Sequence, residues 1–98
     1  METRDKKPKE KIYECEVKIL HQKDGVRFWK WIRRNASQVD RKDTLRCYEC
    51  KGKVRLHRRK IQHGPKDHVE HKSHLDSEGC SLGHYYQGKL KISNSPVE

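Results

Sequence analysis

The sequence predicts a small, mainly β domain of two hairpins, with at most a short helix. Three observations predict it. Apolar and charged residues alternate from Tyr13 to Ile19 and again from Lys53 to Arg58, the period of a strand with one buried face. Lys23-Asp24-Gly25 follows the first run, and Asp-Gly is a strong hairpin turn signal. Only 31% of the chain is hydrophobic while 39% is charged, against about half apolar and about a quarter charged in an average globular protein. A chain of 98 residues this polar buries a thin core. Small domains with thin cores lean on a metal or a disulfide.

The elements follow in order. Residues 1–11 hold no apolar residue after Met1 and read as a disordered basic tail. Residues 93–98 read the same way. Between them lies a single domain, 12–92, with a hairpin at 12–33, a linker at 34–44 and a second module at 45–92. In the first strand Tyr13, Cys15, Val17 and Ile19 face inward, and Cys15 reads as a small core hydrophobe. The second strand runs from Val26 to about Arg33. One of its faces carries Val26, Phe28, Lys30 and Ile32; the other interleaves Arg27, Trp29, Trp31 and Arg33. The polar linker has room for one helical turn. Beyond Gly52, Val54 and Leu56 face inward. His63-Gly64-Pro65-Lys66 is a turn, 67–72 a short strand, 73–83 a loop with one helical turn, and 89–92 a last short strand.

The second module carries the chemistry. Cys47-Tyr48-Glu49-Cys50-Lys51-Gly52 has the form of a zinc knuckle, in which a tight turn aims two thiolates at one centre. A βαβ context for a redox Cys-x-x-Cys is absent. Zinc needs two more ligands, and the candidates are His68, His71, His74, Cys80 and His84. His71 with Cys80 is the preferred pair, because Cys80 otherwise sits unexplained in a polar loop and thiolate is the better zinc ligand. On an extended strand His68 and His71 point to opposite faces, so only one ligates; His68 is the alternate. His57, His63 and His84 read as surface residues. The expectation is a zinc-stabilised, zinc-ribbon-like fold with one structural Zn2+ on Cys47, Cys50, His71 and Cys80.

Twenty-four basic residues face 14 acidic ones, a net charge of +10. Such a charge suits a polyanion, most often nucleic acid. Arg27, Trp29, Trp31 and Arg33 are suited to stacking bases and pairing phosphates, with Lys53, Arg55, His57 and Arg59 as a second stripe. The alternative is a zinc-scaffolded module that meets an acidic protein partner. No apolar run approaches the ~20 residues of a membrane span, so a cytoplasmic protein is expected, with no membrane partner and no small-molecule substrate. In that compartment the four cysteines point to metal or burial rather than disulfides.

The run from Arg46 to His57, then Gly64, then Asp67-His68-Val69-Glu70-His71-Lys72 and later Cys80 resembles the amino-terminal zinc-ribbon region of the CoiA-like competence protein family. Tyr48 stands where that family favours proline, and Val69 where it favours phenylalanine. The resemblance covers residues 45–80 and implies a DNA-related zinc module without catalysis. Asp67-His68-Val69 also resembles the first strand of an HNH endonuclease, which would make His68 a general base beside a divalent cation. No Asn follows at the expected distance, and His84 is the sole stand-in for a metal-holding terminal residue, so no catalytic residue is assigned.

Overall fold

The computed structural model describes residues 10–60, 62, 64 and 66–98. Residues 1–9 of the expected tail, and His63 and Pro65 of the expected turn, lie outside the described residues. The elements are β1 (Glu14–Lys23), β2 (Val26–Asn35), a 3-10 turn (Ala36–Gln38), β3 (Leu45–Arg46), β4 (Val54–His57), β5 (His68–His71) and α1 (His74–Glu78). They form the small, mainly β fold with two hairpins and one short helix that the sequence predicts.

β1 and β2 pair antiparallel from Glu14↔Asn35 to Lys23↔Val26. Asp24 (φ 53) and Gly25 (φ 79) make the turn, and two central residues with positive φ match the twist of the flanking strands. β3 adds to the other side of β1, giving the order β2-β1-β3, while β4 and β5 form a separate two-stranded sheet. Ile12 stitches the sheets together: its N–H donates to the Val69 carbonyl (3.2 Å) and its carbonyl accepts from the Val69 N–H (2.7 Å).

The core lies where the sheets meet. Cys15 and Val17 of β1 and Leu45 of β3 pack with Val54, Leu56 and Val69 of the second hairpin, closed by Ile12, Ala36 and Val39. Tyr13 does not join this face as expected; it is 43% exposed. The chain leaves the β1 ladder there to bridge β5, so Ile12 takes the inward place. Ile19 and Ile32 still pack, half-buried, against the core; beyond Ile19 the hairpin outruns it, and Leu20, Val26, Phe28 and Trp29 are exposed.

Two further expectations are corrected. Residues 89–92 form no strand, and 93–98 are not a loose tail. Lys91 N–H donates to the Gly79 carbonyl (2.7 Å), Ser93 N–H to Cys50 (2.8 Å) and Val97 N–H to Lys51 (2.9 Å). Arg46 Nη1 adds a bond to the Val97 carbonyl (2.8 Å). This segment docks by its backbone, not by apolar side chains, so its composition carries no sign of it. α1 falls inside the predicted loop. Ser73 caps it by accepting from the Asp76 N–H (3.2 Å), as a hydroxyl at an N-cap does.

Candidate metal centre

Four residues from three separate segments converge. β3 delivers the chain into the knuckle, where the Cys47 N–H donates to the Gly52 carbonyl (2.9 Å) and the Lys51 N–H to the Cys47 carbonyl (3.0 Å). Lys51 adopts φ 65 to close this turn. The closure points backbone N–H groups at sulfur: Glu49 to Cys47 Sγ and Gly52 to Cys50 Sγ, each at 3.4 Å. A methyl group on Gly52 would meet Asp76 Oδ2 at 2.4 Å, so glycine lets α1 close over the knuckle. β5 supplies His71, and the segment after α1 supplies Cys80.

Cys47 Sγ lies 3.6 Å from Cys80 Sγ, and Cys50 Sγ lies 3.5 Å from His71 Nε2. The four ligand atoms all lie within 4.8 Å of one another, and the three cysteines are buried. Cys47, Cys50, His71 and Cys80 therefore could hold a metal ion. The structure brings together the residues selected from the sequence. It sets His68 apart, on the other face of β5, as strand alternation requires. His74 is exposed and pairs with Glu78 (2.9 Å). Cys15 is fully buried nearby, and burial, reinforced by Cys47, pushes its thiol up to about 11.

Sequence reasoning missed Glu10, which it left in the basic tail. Its carboxylate accepts from His71 Nδ1 (3.0 Å) and the His71 N–H (2.7 Å) through Oε1. Oε2 accepts from the His84 N–H (2.7 Å) and from the Ser77 hydroxyl. Burial pushes this carboxyl up, but the bonds from His71, Ser77 and His84 outweigh it and hold it at about 2. A carboxylate on Nδ1 fixes the tautomer and leaves the Nε2 lone pair facing the thiols, the arrangement that supports metal-bound histidine. Nothing in the sequence marks Glu10, because its partners lie far along the chain.

The charges of the cluster are tied together. Burial opposes ionisation of His71, yet the Cys47 and Cys80 sulfurs and Glu10 raise it to about 11. Hydrogen bonds from Cys50 and Cys80 draw the Cys47 thiol strongly down, while those with Cys47 and Cys80 push Cys50 up.

The residues selected for nucleic acid form two surfaces. On the first sheet, Trp29 faces Leu20, Trp31 faces Lys18 and Arg33 faces Glu16 across the ladder; these share the side away from the core. Trp29 is 60% exposed. The Arg46 guanidinium covers the Trp31 ring at 3.9 Å and Arg33 covers Tyr48 at 3.7 Å. Glu14 and Glu16 partly neutralise this face by pairing with Arg33 and Arg46, each at 2.6 Å. Lys53 and Arg55 instead line a groove of about 620 Å³ together with Arg41, Lys60 and Lys72. Arg59 lies outside that lining; its N–H donates to Asp67 Oδ1 (2.7 Å).

The fold and the cluster define a class: a small β module whose two sheets meet beside a Cys3His set able to hold a metal ion. A model of an uncharacterised protein family matches residues 5–98, and the chain belongs to that family. The match supplies no link to the CoiA-like proteins. No curated protein and no solved structure matches the chain. Among the described residues, no helix is long and apolar enough to cross a membrane.

Proposed function

We propose that the Cys3His cluster holds one structural Zn2+ and that the module it staples binds nucleic acid on the solvent face of the β1–β2 sheet. The donor set supports zinc. A tetrahedron with metal–sulfur bonds of ~2.3 Å has sulfur–sulfur edges of about 3.8 Å, close to the 3.6 Å between Cys47 and Cys80. The Glu10–His71 contact supplies the outer carboxylate that zinc histidines favour.

The observation that carries nucleic-acid binding is Trp29, 60% exposed on a strand that also bears Arg27 and Arg33. An exposed indole among cations stacks any base and leaves phosphates to the basic side chains. The groove lined by Lys53 and Arg55 is a second basic surface. The resemblance of residues 45–80 to a DNA-related zinc ribbon favours DNA over RNA. Titrating single-stranded DNA against tryptophan fluorescence tests the reading. The expected result is quenching, with an affinity that falls as salt rises by a slope of about −0.7 per phosphate contacted. No quenching and no gel shift at low salt would sink it.

One observation favours an acidic protein partner instead. β2 is the outer strand of its sheet, and its exposed Val26 and Phe28 flank an edge suited to strand addition. Binding of acidic peptides without any DNA shift would select that reading. Plasmid nicking with magnesium or manganese, abolished by His68→Ala, would select the nuclease reading.

A further inference from the structure

The far side of the β4–β5 hairpin carries a second cluster. His57 and His68 are cross-strand partners, and their rings stack with centroids 5.2 Å apart and planes 10° from parallel. Glu70, two residues along β5, reaches both: Oε2 lies 3.1 Å from His68 Nε2 and Oε1 lies 3.5 Å from His57 Nε2. The three ligand atoms lie within 4.8 Å of one another. His71 and the Cys3His cluster occupy the opposite face of the same strand.

The hydrogen bonding of His68 points to a cation here. Its Nδ1 lies 2.8 Å from the Lys66 carbonyl, and its Nε2 faces the Glu70 carboxylate. Carbonyl and carboxylate are both acceptors, whereas a neutral imidazole has one N–H to give. With Nδ1–H donated to Lys66, the Nε2 lone pair confronts a carboxylate oxygen, and a positive charge belongs between them. A proton would bridge two atoms. Here a third, His57 Nε2, converges on the same carboxylate, and three converging donors suit a metal. The Lys66 carbonyl also does for His68 what Glu10 does for His71: it orients the ring with Nε2 outward.

We propose that His57, His68 and Glu70 form a second metal site, for a divalent transition metal such as Zn2+. Two imidazoles favour such an ion over magnesium or calcium. Three protein ligands leave a position open, so this site exchanges its ion and carries water or an external ligand, unlike the closed Cys3His cluster. Its side chains fit that role, with His57 34% and Glu70 19% exposed.

The full chain loaded with excess 113Cd2+ tests this by NMR. Two resonances are expected, one in the thiolate-rich range and one in the nitrogen–oxygen range. His57→Ala and Glu70→Gln should each remove the second and keep the first, and zinc stoichiometry should fall from two equivalents to one. A single resonance in the unmodified chain overturns the proposal. So does a second resonance that survives either substitution, or loss of both resonances in both variants.

Discussion

The Cys3His end of the molecule and the far end of the β1–β2 hairpin are held by different means. At the metal end, segments from residue 10 to residue 97 converge, tied by Glu10, by the knuckle turn and by backbone bonds from the C-terminal segment. At the hairpin end, among the described residues, the two strands hold each other; His21 stacks on Phe28 at 5.6 Å, and Leu20, Val26 and Trp29 are exposed. The first end spends its polar groups on internal bonds. The second leaves large apolar and basic side chains to solvent. The contrast teaches that the internal polar and backbone bonds gather at one end of the fold and the exposed large side chains at the other.

Removing a ligand tests the contrast most severely. Cys47→Ser should unfold residues 45–98, because a structural zinc site contributes ~10 kcal/mol or more as folding free energy. Amide NMR checks this, and a chelator should reproduce it in the unmodified chain. Well-dispersed signals from 45–98 after either treatment would mean that packing alone suffices. Gly83→Ala comes next. A methyl group there would meet the Ser77 backbone carbonyl at 2.0 Å, so the loop that holds Ser77 and His84 against Glu10 must shift. A destabilisation of about 3 kcal/mol is expected from denaturant melts, confined to the metal end.

How far these features could be read in advance follows the same divide. The β1–β2 hairpin was legible from its alternation and from Asp24-Gly25, because strand period and turn chemistry are local. Cys47 and Cys50 were legible from spacing, and the two faces of a strand showed that His68 and His71 could not both ligate. Glu10 was not, since its role exists only once β5 and the loop after α1 surround it. The docking of 93–98 was hidden for a related reason: backbone hydrogen bonds leave no trace in side-chain composition. Tyr13 misled because alternation continues in the sequence one step beyond the point where the chain leaves the ladder.

Glu10 offers a finer probe of the metal end. Glu10→Ala should lower metal affinity about 10- to 100-fold, as loss of an outer carboxylate does, while the hairpin signals stay put. Chelator competition measures it. The carboxyl is held at about 2 against an ordinary 4.5. A depressed carboxyl contributes stability that is present above 4.5 and lost as pH falls towards 2. The unmodified chain should therefore lose stability across that window, and the variant should lose less. Equal acid limbs would show that the Glu10 bonds contribute nothing to folding.

Trp29→Ala is the mildest change for the fold and the sharpest for the hairpin. With 60% of the residue already exposed and its face turned away from the core, truncation should move stability by no more than ~0.5 kcal/mol. Trp31 should behave otherwise, since Arg46 packs on its ring and that arginine also holds Glu16 and Val97. If bases stack on Trp29, the same substitution should weaken single-stranded DNA by ~1–3 kcal/mol and leave the salt slope unchanged, because no phosphate contact is removed. A fluorescence titration that follows Trp31 alone reads the affinity, and a parallel melt reads the fold. Loss of stability with DNA affinity intact would reverse the contrast, making the hairpin tip a structural element and moving the search for a polyanion surface to the groove beside Lys53.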